Sequence, residues 1–271
     1  MSGHATPARG AAPAVVVHPD AGLLAEAAAA RLLTRLIDVQ SVRTPVHVVL
    51  TGGTVGIRTL AAVAVSPVRD AVDWSGVHLW WGDERFLPDG DPERNETQAR
   101  EALLDTLVAS AGLPAGNVHP APALGTVTAG TTVETPEQSA AAYAVELARY
   151  ADTDDADGRD ASAQVPRFDV LLLGMGPDGH VASLFPGHAG LAAVGATVGV
   201  HGSPKPPPER VSLTFDAIRC AREVWFVVAG ADKAAQAAAA LAGGAVTDVP
   251  AAGAVGTERT LWLLDAAAAN G

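Results

Sequence analysis

The sequence predicts a single α/β domain of the doubly wound, Rossmann-like type, with helices on both faces of a mostly parallel sheet. Two observations predict this fold class. Short β-branched runs alternate along the chain with Ala- and Leu-rich stretches of helical character. Several of the short runs are apolar at nearly every position, which is typical of strands buried on both faces. We expect the domain to span residues 14–271, after a disordered tail at residues 1–13.

The predicted helices connect the strands in sequence order. Asp20 can cap a first helix, whose apolar residues recur every four positions from Leu24 to Leu36. A second helix follows the polar turn at 51–54, and a third is expected from about Pro92 to Leu107. Helical stretches also follow the last two strands. The predicted strands are Ala14–Val17, Val46–Leu50, Val77–Trp81, Phe168–Leu173, Val224–Val228 and Leu261–Leu264.

Three segments are interpreted as surface insertions. Residues 125–136 are rich in Thr and Gly, and residues 151–166 are acidic and polar. Residues 202–208 contain four prolines and are expected to be extended. None of the three interrupts the alternation of strands and helices, so the sequence predicts no boundary between domains.

Composition and charge exclude several classes of function. The 271 residues are 48% hydrophobic and carry a net charge of −12, which excludes binding of nucleic acid or of an anionic membrane through bulk charge. No run reaches the about 18 apolar residues of a membrane span, and the first residues lack the apolar core of a signal peptide. We therefore expect a cytoplasmic monomer or small homo-oligomer whose partner is a small molecule. Cys220 is the only cysteine and is expected to be a core residue.

Parallel sheets bind ligands beyond the carboxyl ends of their strands. The turns that follow Leu50, Trp81 and Leu173 are the most unusual in composition and should converge on one cleft. An anionic ligand in that cleft would require a local cluster of Arg and Lys, because the chain as a whole is acidic.

The strongest signal is the segment 174–180, Gly-Met-Gly-Pro-Asp-Gly-His, directly after a buried strand. Gly174 and Gly176 permit close approach of a ligand to the main chain. His180, at the mouth of a parallel sheet, is a candidate general base, with Asp178 in the same tight turn. The alternative interpretation is a glycine turn with a solvated histidine and aspartate.

A second candidate site is the turn Thr51, Gly52, Gly53 and Thr54 between a strand and a helix. Its backbone N–H groups and the helix dipole can bind an anion. The Gly-Lys-Ser/Thr ending of a P-loop is missing, and the turn is no dinucleotide fingerprint. The alternative interpretation, an ordinary turn without a ligand, is equally compatible with the sequence.

Charged residues near the other strand ends complete the candidate set. Asp83 and Arg85 follow the third strand, where Arg85 can hold a phosphate in a bidentate grip, and a surface salt bridge is the alternative. Asn95 is either a ligand or simply a residue at a helix N-terminus. Arg210 and Lys233 are surface charges when taken singly, but together they can supply the positive field that a phosphorylated substrate needs.

We predict neither a metal nor a cofactor. The eight histidines show no spacing that fits zinc, and His78 is expected to be a packed residue. No Gly-x-Ser-x-Gly elbow is present for a serine nucleophile, and Ser183 is interpreted as the start of a helix.

With these motifs in this order, the sequence resembles the 6-phosphogluconolactonase family. The resemblance covers roughly residues 15–265, and the long run at 174–187 is its most specific part. It departs from the family at Val55-Gly56, where the family usually has a proline. The matching stretches are 50–54, 81–88, 91–95, 174–187 and 210–214.

The resemblance implies a sugar-phosphate isomerase/deaminase-like fold and a hydrolase of the oxidative pentose phosphate pathway. The implied substrate is 6-phospho-D-glucono-1,5-lactone and the product is 6-phosphogluconate. His180 would activate the attacking water, Asp178 would orient or tune His180, and the backbone N–H groups of a glycine turn would stabilise the oxyanion. Arg85, Arg210, Lys233 and the 51–54 turn would hold the phosphate, and Asp83 would position Arg85 or substrate hydroxyls.

Two alternatives remain. One is a sugar-phosphate isomerase or deaminase. The related deaminases have Asn-Glu-Pro where this chain has Leu184-Phe185-Pro186, and the missing Glu favours hydrolysis. The other is a sensing module that binds sugar phosphates without turnover, against which the Asp178 and His180 pair argues.

Overall fold

The computed structural model describes residues 12–151 and 163–270. Residues 1–11 and most of the acidic segment 151–166 lie outside the described residues, and so do the predictions made for them. The strands are β1 (Ala14–His18), β2 (Val46–Leu50), β3 (Val77–Trp81), β4 (Asp83–Arg85), β5 (Val118–His119), β6 (Val127–Thr128), β7 (Thr131–Thr132), β8 (Val170–Leu173), β9 (Thr197–Val200), β10 (Arg210–Leu213), β11 (Glu223–Val228) and β12 (Arg259–Asp265).

The helices lie between the strands in sequence. They are α1 (Ala21–Gln40), α2 (Gly53–Val65), α3 (Asn95–Ala99), α4 (Asp105–Ser110), α5 (Pro136–Ala148), α6 (Phe215–Ile218), α7 (Ala234–Leu241) and α8 (Ala266–Ala269). A π-helical stretch, Arg100–Leu104, joins α3 to α4. No helix in the described ranges is both long enough and apolar enough to span a membrane.

Seven strands form one sheet in the order β1-β12-β11-β8-β2-β3-β5, and every neighbouring pair is parallel. The predicted doubly wound α/β fold is therefore confirmed. All six predicted strands are present, with bounds that shift by up to two residues. The predicted helix at Pro92–Leu107 instead begins at Asn95 and runs through the π-helical stretch to Ser110.

Apolar side chains cover both faces of the large sheet, which explains why its strands are almost continuously hydrophobic. Val49, Leu171 and Phe226 belong to the core on one face. Their chain neighbours Val48 and Leu172 belong to the core on the other face, beneath α1 and α2. Alternate residues of one strand thus enter different cores, and both faces of the sheet are lined mainly by apolar side chains.

Two helices show how local sequence sets their start. The Asp20 side chain accepts a hydrogen bond from the N–H of Leu23 at 2.8 Å, so the predicted cap of α1 is confirmed. Helix α5 was not predicted from the sequence. Its signal is a capping box, in which the Thr135 hydroxyl accepts from the N–H of Gln138 and the Gln138 side chain accepts from the N–H of Thr135.

A second, antiparallel sheet with the order β4-β10-β9 was also not predicted. It continues from the end of β3, where only Gly82 separates β3 from β4. In its register Arg210 lies opposite Arg85 on one side and opposite Val200 on the other. This sheet therefore brings two cations together that are 125 residues apart in the chain.

The proline-rich segment 202–208 bends, so the prediction that it is extended is wrong. The reason is the Arg210 guanidinium, which donates to the carbonyl oxygens of Lys205, Pro206 and Pro207 at 3.1 Å each. These three carbonyls converge on one side chain, and a straight polyproline helix points its carbonyls in different directions.

Tyr143 of α5 completes the hydrogen bonding of β3 where its partner β5 has ended. Its hydroxyl accepts from the N–H of Trp81 at 2.9 Å and donates to the Trp81 carbonyl at 3.0 Å. All of these groups are buried. Helix α5 is thereby fixed to the strand end that leads into Asp83.

We expect Tyr143→Phe to lower the free energy of unfolding by about 1–3 kcal/mol, because two buried backbone groups lose their only side-chain partner. Tyr150→Phe is the matched control, since its hydroxyl has no hydrogen bond among the described residues, and it should stay within about 0.5 kcal/mol. Urea denaturation measures both. Equal stability of the two variants would contradict this role for Tyr143.

Candidate active site

A pocket of about 650 Å³ opens at the carboxyl ends of β2, β8 and β11. This volume is in the range of small-molecule sites. The turns after Leu50, Trp81 and Leu173 meet at it, as the sequence predicts. Every candidate residue lines it except Asp178, which lies behind His180. The lining candidates are Thr51, Gly52, Gly53, Thr54, Asp83, Arg85, Asn95, Gly174, Gly176, His180, Arg210 and Lys233.

His180 and Asp178 form a pair within one tight turn. The turn closes because Gly176 N–H donates to the His180 carbonyl at 3.0 Å and Gly179 adopts a φ of +83°. His180 Nδ1 lies 2.5 Å from Asp178 Oδ1. An Nδ1–H that donates to this carboxylate leaves the lone pair on Nε2, which is the form required of a base.

The surroundings of this pair keep the Asp178 carboxyl group ionised. Burial raises the pKa of Asp178, but the hydrogen bond and charge of His180 outweigh it and bring the pKa to about 2. Asp178 is therefore an anion at neutral pH. The His180 ring also packs on the buried ring of Phe185, with centroids 4.5 Å apart, which restricts its rotation.

Gly176 is required for the His180 and Asp178 pair. A Cβ at this position would lie 2.1 Å from His180 Nδ1 and 2.5 Å from Asp178 Oδ1. No side chain fits there without separating the two groups. The glycine therefore has a steric role in the site, in addition to any contact with a ligand.

The 51–54 turn is joined to the histidine turn. The Thr51 hydroxyl accepts from the N–H of Gly174 at 3.1 Å. Gly52 lies so close to Asn95 that a Cβ would be 2.0 Å from Asn95 Oδ1. No side chain caps α2, so the first N–H groups of this 13-residue helix remain available to an anion.

Glu84 holds the backbone of two pocket residues, Arg85 and Asn95, and was not among the candidates predicted from the sequence. Its buried carboxylate accepts from the N–H groups of Arg85, Asn95 and Glu96 at 2.7–2.9 Å, and Arg94 lies 3.6 Å away. Burial raises the pKa of Glu84 to about 7, while Arg94 and the three N–H donors act in the opposite direction. The start of α3 at Asn95 is set by this carboxylate and not by a local cap.

Asp83 connects the histidine turn to Arg210. Its Oδ2 accepts from the Ser183 hydroxyl at 2.6 Å and lies 3.9 Å from Arg210 Nη1. Ser183 is fully buried and starts no helix, so the prediction made for it is wrong. Asp83 does not contact the Arg85 side chain, which donates instead to the Glu93 carbonyl at 2.5 Å.

Five cations line the pocket, and two of them were missed. Arg58 and Lys205 were not among the candidates. Arg58 lies one helical turn after Thr54, a spacing that places both residues on the same face of α2. Lys205 is the only charged residue among the prolines of 202–208. Both signals are visible in the sequence once these segments are known to face the pocket.

His78 and His119 belong to packing. His78 Nδ1 lies 2.9 Å from His119 Nε2, and the two rings stack. Burial lowers the pKa of His78 to about 4, with the charge of His119 as the second cause. Within residues 12–151 and 163–270, no group of His, Cys, Asp and Glu is arranged to hold a metal ion.

Comparison with known proteins identifies similar chains. The family model described as glucosamine-6-phosphate isomerases/6-phosphogluconolactonase matches residues 19–262. The 6-phosphogluconolactonase of Streptomyces coelicolor is 58% identical, over 95% of this chain and 94% of its own length. The solved 6-phosphogluconolactonase of Trypanosoma brucei superposes with a TM-score of 0.79 at 28% identity, over 95% and 97% of the two chains.

A monomeric glucosamine-6-phosphate deaminase has the same fold. It superposes with a TM-score of 0.71 at 16% identity, over 94% of this chain and 98% of its own. The fold alone therefore does not distinguish hydrolysis from deamination.

We expect Gly176→Ala to abolish most of the catalytic activity with little change in overall stability, because the added methyl group displaces His180 from Asp178. Gly116→Ala is the matched control, since a Cβ there meets no atom within 4 Å. Steady-state rates and thermal unfolding of the two variants test this. Full activity of Gly176→Ala would show that the pair is dispensable.

Proposed function

The chain belongs to the glucosamine-6-phosphate isomerase/6-phosphogluconolactonase family, and on this basis we propose that His180 is the general base of a lactone hydrolase. The activity is hydrolysis of 6-phospho-D-glucono-1,5-lactone to 6-phosphogluconate, and the 58% identical relative supports it over nearly the whole chain. The observation that supports the base is the 2.5 Å contact between His180 and Asp178 at the pocket wall.

The proposed reaction begins with a water molecule held between His180 Nε2 and the lactone carbonyl carbon. His180 takes a proton from this water as its oxygen attacks, and the carbonyl oxygen becomes an oxyanion. Cleavage of the ring C–O bond then opens the lactone, and the histidinium returns the proton to the leaving ring oxygen. Between these two proton transfers, ionised Asp178 stabilises the histidinium.

Backbone N–H groups of the histidine turn are proposed to stabilise the oxyanion. Those of Gly174 and Gly176 already donate to Thr51 Oγ1 and to the His180 carbonyl. The N–H of Met175, which also lines the pocket, has no partner among the described residues. Met175 is therefore the donor that we assign to the oxyanion.

The phosphate is proposed to lie at the 51–54 turn and the surrounding cations. The open N-terminus of α2 supplies N–H donors and a positive dipole end. Arg85, Arg210 and Lys233 add positive charge, and Arg85 Nε is buried without a partner among the described residues. Asn95 and Asp83 are proposed to contact the sugar hydroxyls.

The deaminase alternative is disfavoured by the residues beside the histidine. At the positions where the deaminases have Asn-Glu-Pro, Leu184 and Phe185 are both buried and apolar. They provide neither a second proton carrier nor a partner for an amine.

His180→Gln should lower the enzymatic rate by about 10²–10⁴-fold, because proton transfer to a positioned base contributes that much. The assay is proton release at constant pH after the lactone is formed from glucose 6-phosphate, with the unaided decay subtracted. His188→Gln is the control, since His188 does not line the pocket. Equal rates for wild type and His180→Gln would keep the activity and reject the base.

With glucosamine 6-phosphate as substrate, we expect no ammonia and no fructose 6-phosphate above background. A coupled ammonia assay measures this, with the lactone assay on the same enzyme sample as the positive control. Turnover of the amino sugar would reassign the chain to the deaminase branch of the family.

A further inference from the structure

The five cations of the pocket differ in how many hydrogen bonds and ion pairs their side chains make with other protein groups. Lys233 Nζ lies 3.2 Å and 3.3 Å from the two carboxylate oxygens of Asp232. Arg85 Nη1 donates to the Glu93 carbonyl. Arg58 and Lys205, in contrast, make no side-chain hydrogen bond or ion pair within the described parts of the chain.

Arg210 makes the most side-chain contacts of the five. Its side chain is only 9% exposed. Nε donates to the Pro207 carbonyl, and Nη2 donates to the carbonyls of Lys205 and Pro206. Nη1 faces Asp83 at 3.9 Å. Most of this guanidinium therefore holds the 202–208 segment, which leaves little of it for an anion.

Lys205 is the residue that this arrangement holds most firmly. Its N–H donates to the Ser203 hydroxyl at 3.3 Å, and its carbonyl accepts from that hydroxyl at 2.9 Å as well as from Arg210. Prolines on both sides restrict the backbone further. The side chain is half-buried and lines the pocket.

We propose that Lys205 binds the phosphate of the substrate and that Arg210 is a positioning residue that acts through it. This inference rests on the proposed function. An ammonium group with three unused donors in a pocket wall is suited to a dianion, and an acidic chain needs such a local charge. A rigid backbone beneath it reduces the entropy lost on binding. Arg58 also lacks a partner, but it projects from the exposed surface of α2 and nothing fixes its position.

The test uses inorganic phosphate as a competitive inhibitor of lactone hydrolysis. Lys205→Gln should raise KM and the inhibition constant of phosphate by similar factors, about 10- to 100-fold, and leave kcat nearly unchanged. Arg149→Gln is the control for net charge, since it removes a positive charge from a side chain that is 69% exposed and does not line the pocket. A raised KM with an unchanged inhibition constant, or an unchanged KM, would overturn the proposal.

The role of Arg210 is tested by a double-mutant cycle. Arg210→Gln alone should raise the inhibition constant of phosphate nearly as much as Lys205→Gln does. The double variant should be less than about threefold worse than Arg210→Gln, because the second change removes an interaction that is already lost. Independent, multiplying effects would show that Arg210 binds the phosphate itself and would overturn its positioning role.

Failure of the proposed function can be distinguished from failure of this inference. If the wild type hydrolyses the lactone no faster than the blank, the lactonase assignment falls. Calorimetric titration with 6-phosphogluconate then decides on Lys205. Affinity lost in Lys205→Gln but kept in Arg149→Gln supports the inference, and equal affinities reject it.

Discussion

The parallel alignment of β8, β2 and β3 is the constraint on which the site depends. Because the three strands run in one direction and are neighbours, their following turns leave the sheet at the same edge. The histidine turn, the 51–54 turn and the segment beginning at Asp83 thereby meet, although they are far apart in the sequence. Antiparallel pairing of any of them would place its turn at the opposite edge.

Hydrogen bonds then connect these segments to one another. Thr51 accepts from Gly174, Ser183 donates to Asp83, and the buried Glu84 accepts the N–H of Asn95. Each bond joins two different segments of the chain, and none of them involves the His180 ring. These bonds connect the segments of the pocket independently of the His180 ring, and the proposed base needs such support to stay in position.

The electrostatics of the site are local and run against those of the whole chain. The net charge is −12, yet five cations line one pocket. The small antiparallel sheet is what makes this possible, since it adds Arg85, Arg210 and the 202–208 segment to one side of the parallel core. The small sheet therefore supplies positive charge to the pocket, while the parallel core carries His180, the proposed base.

Much of the fold could be predicted from the sequence, because buried parallel strands are apolar throughout and Gly-rich turns follow them. The pair of His180 and Asp178 was also predictable, since both residues lie in one turn of seven residues. The antiparallel sheet was not, because its strands are three or four residues long and β4 pairs with β10, more than 100 residues away. The roles of Glu84 and Lys205 and the true environment of Arg210 were not predictable either. Glu84 and Arg210 bond to backbone groups of nearby loops and helix ends, and such irregular contacts leave no periodic pattern in the sequence. The sequence alone thus determined the turn that carries Asp178 and His180. The tertiary structure decided which charged side chains bond to other protein groups and which face the pocket without a protein partner.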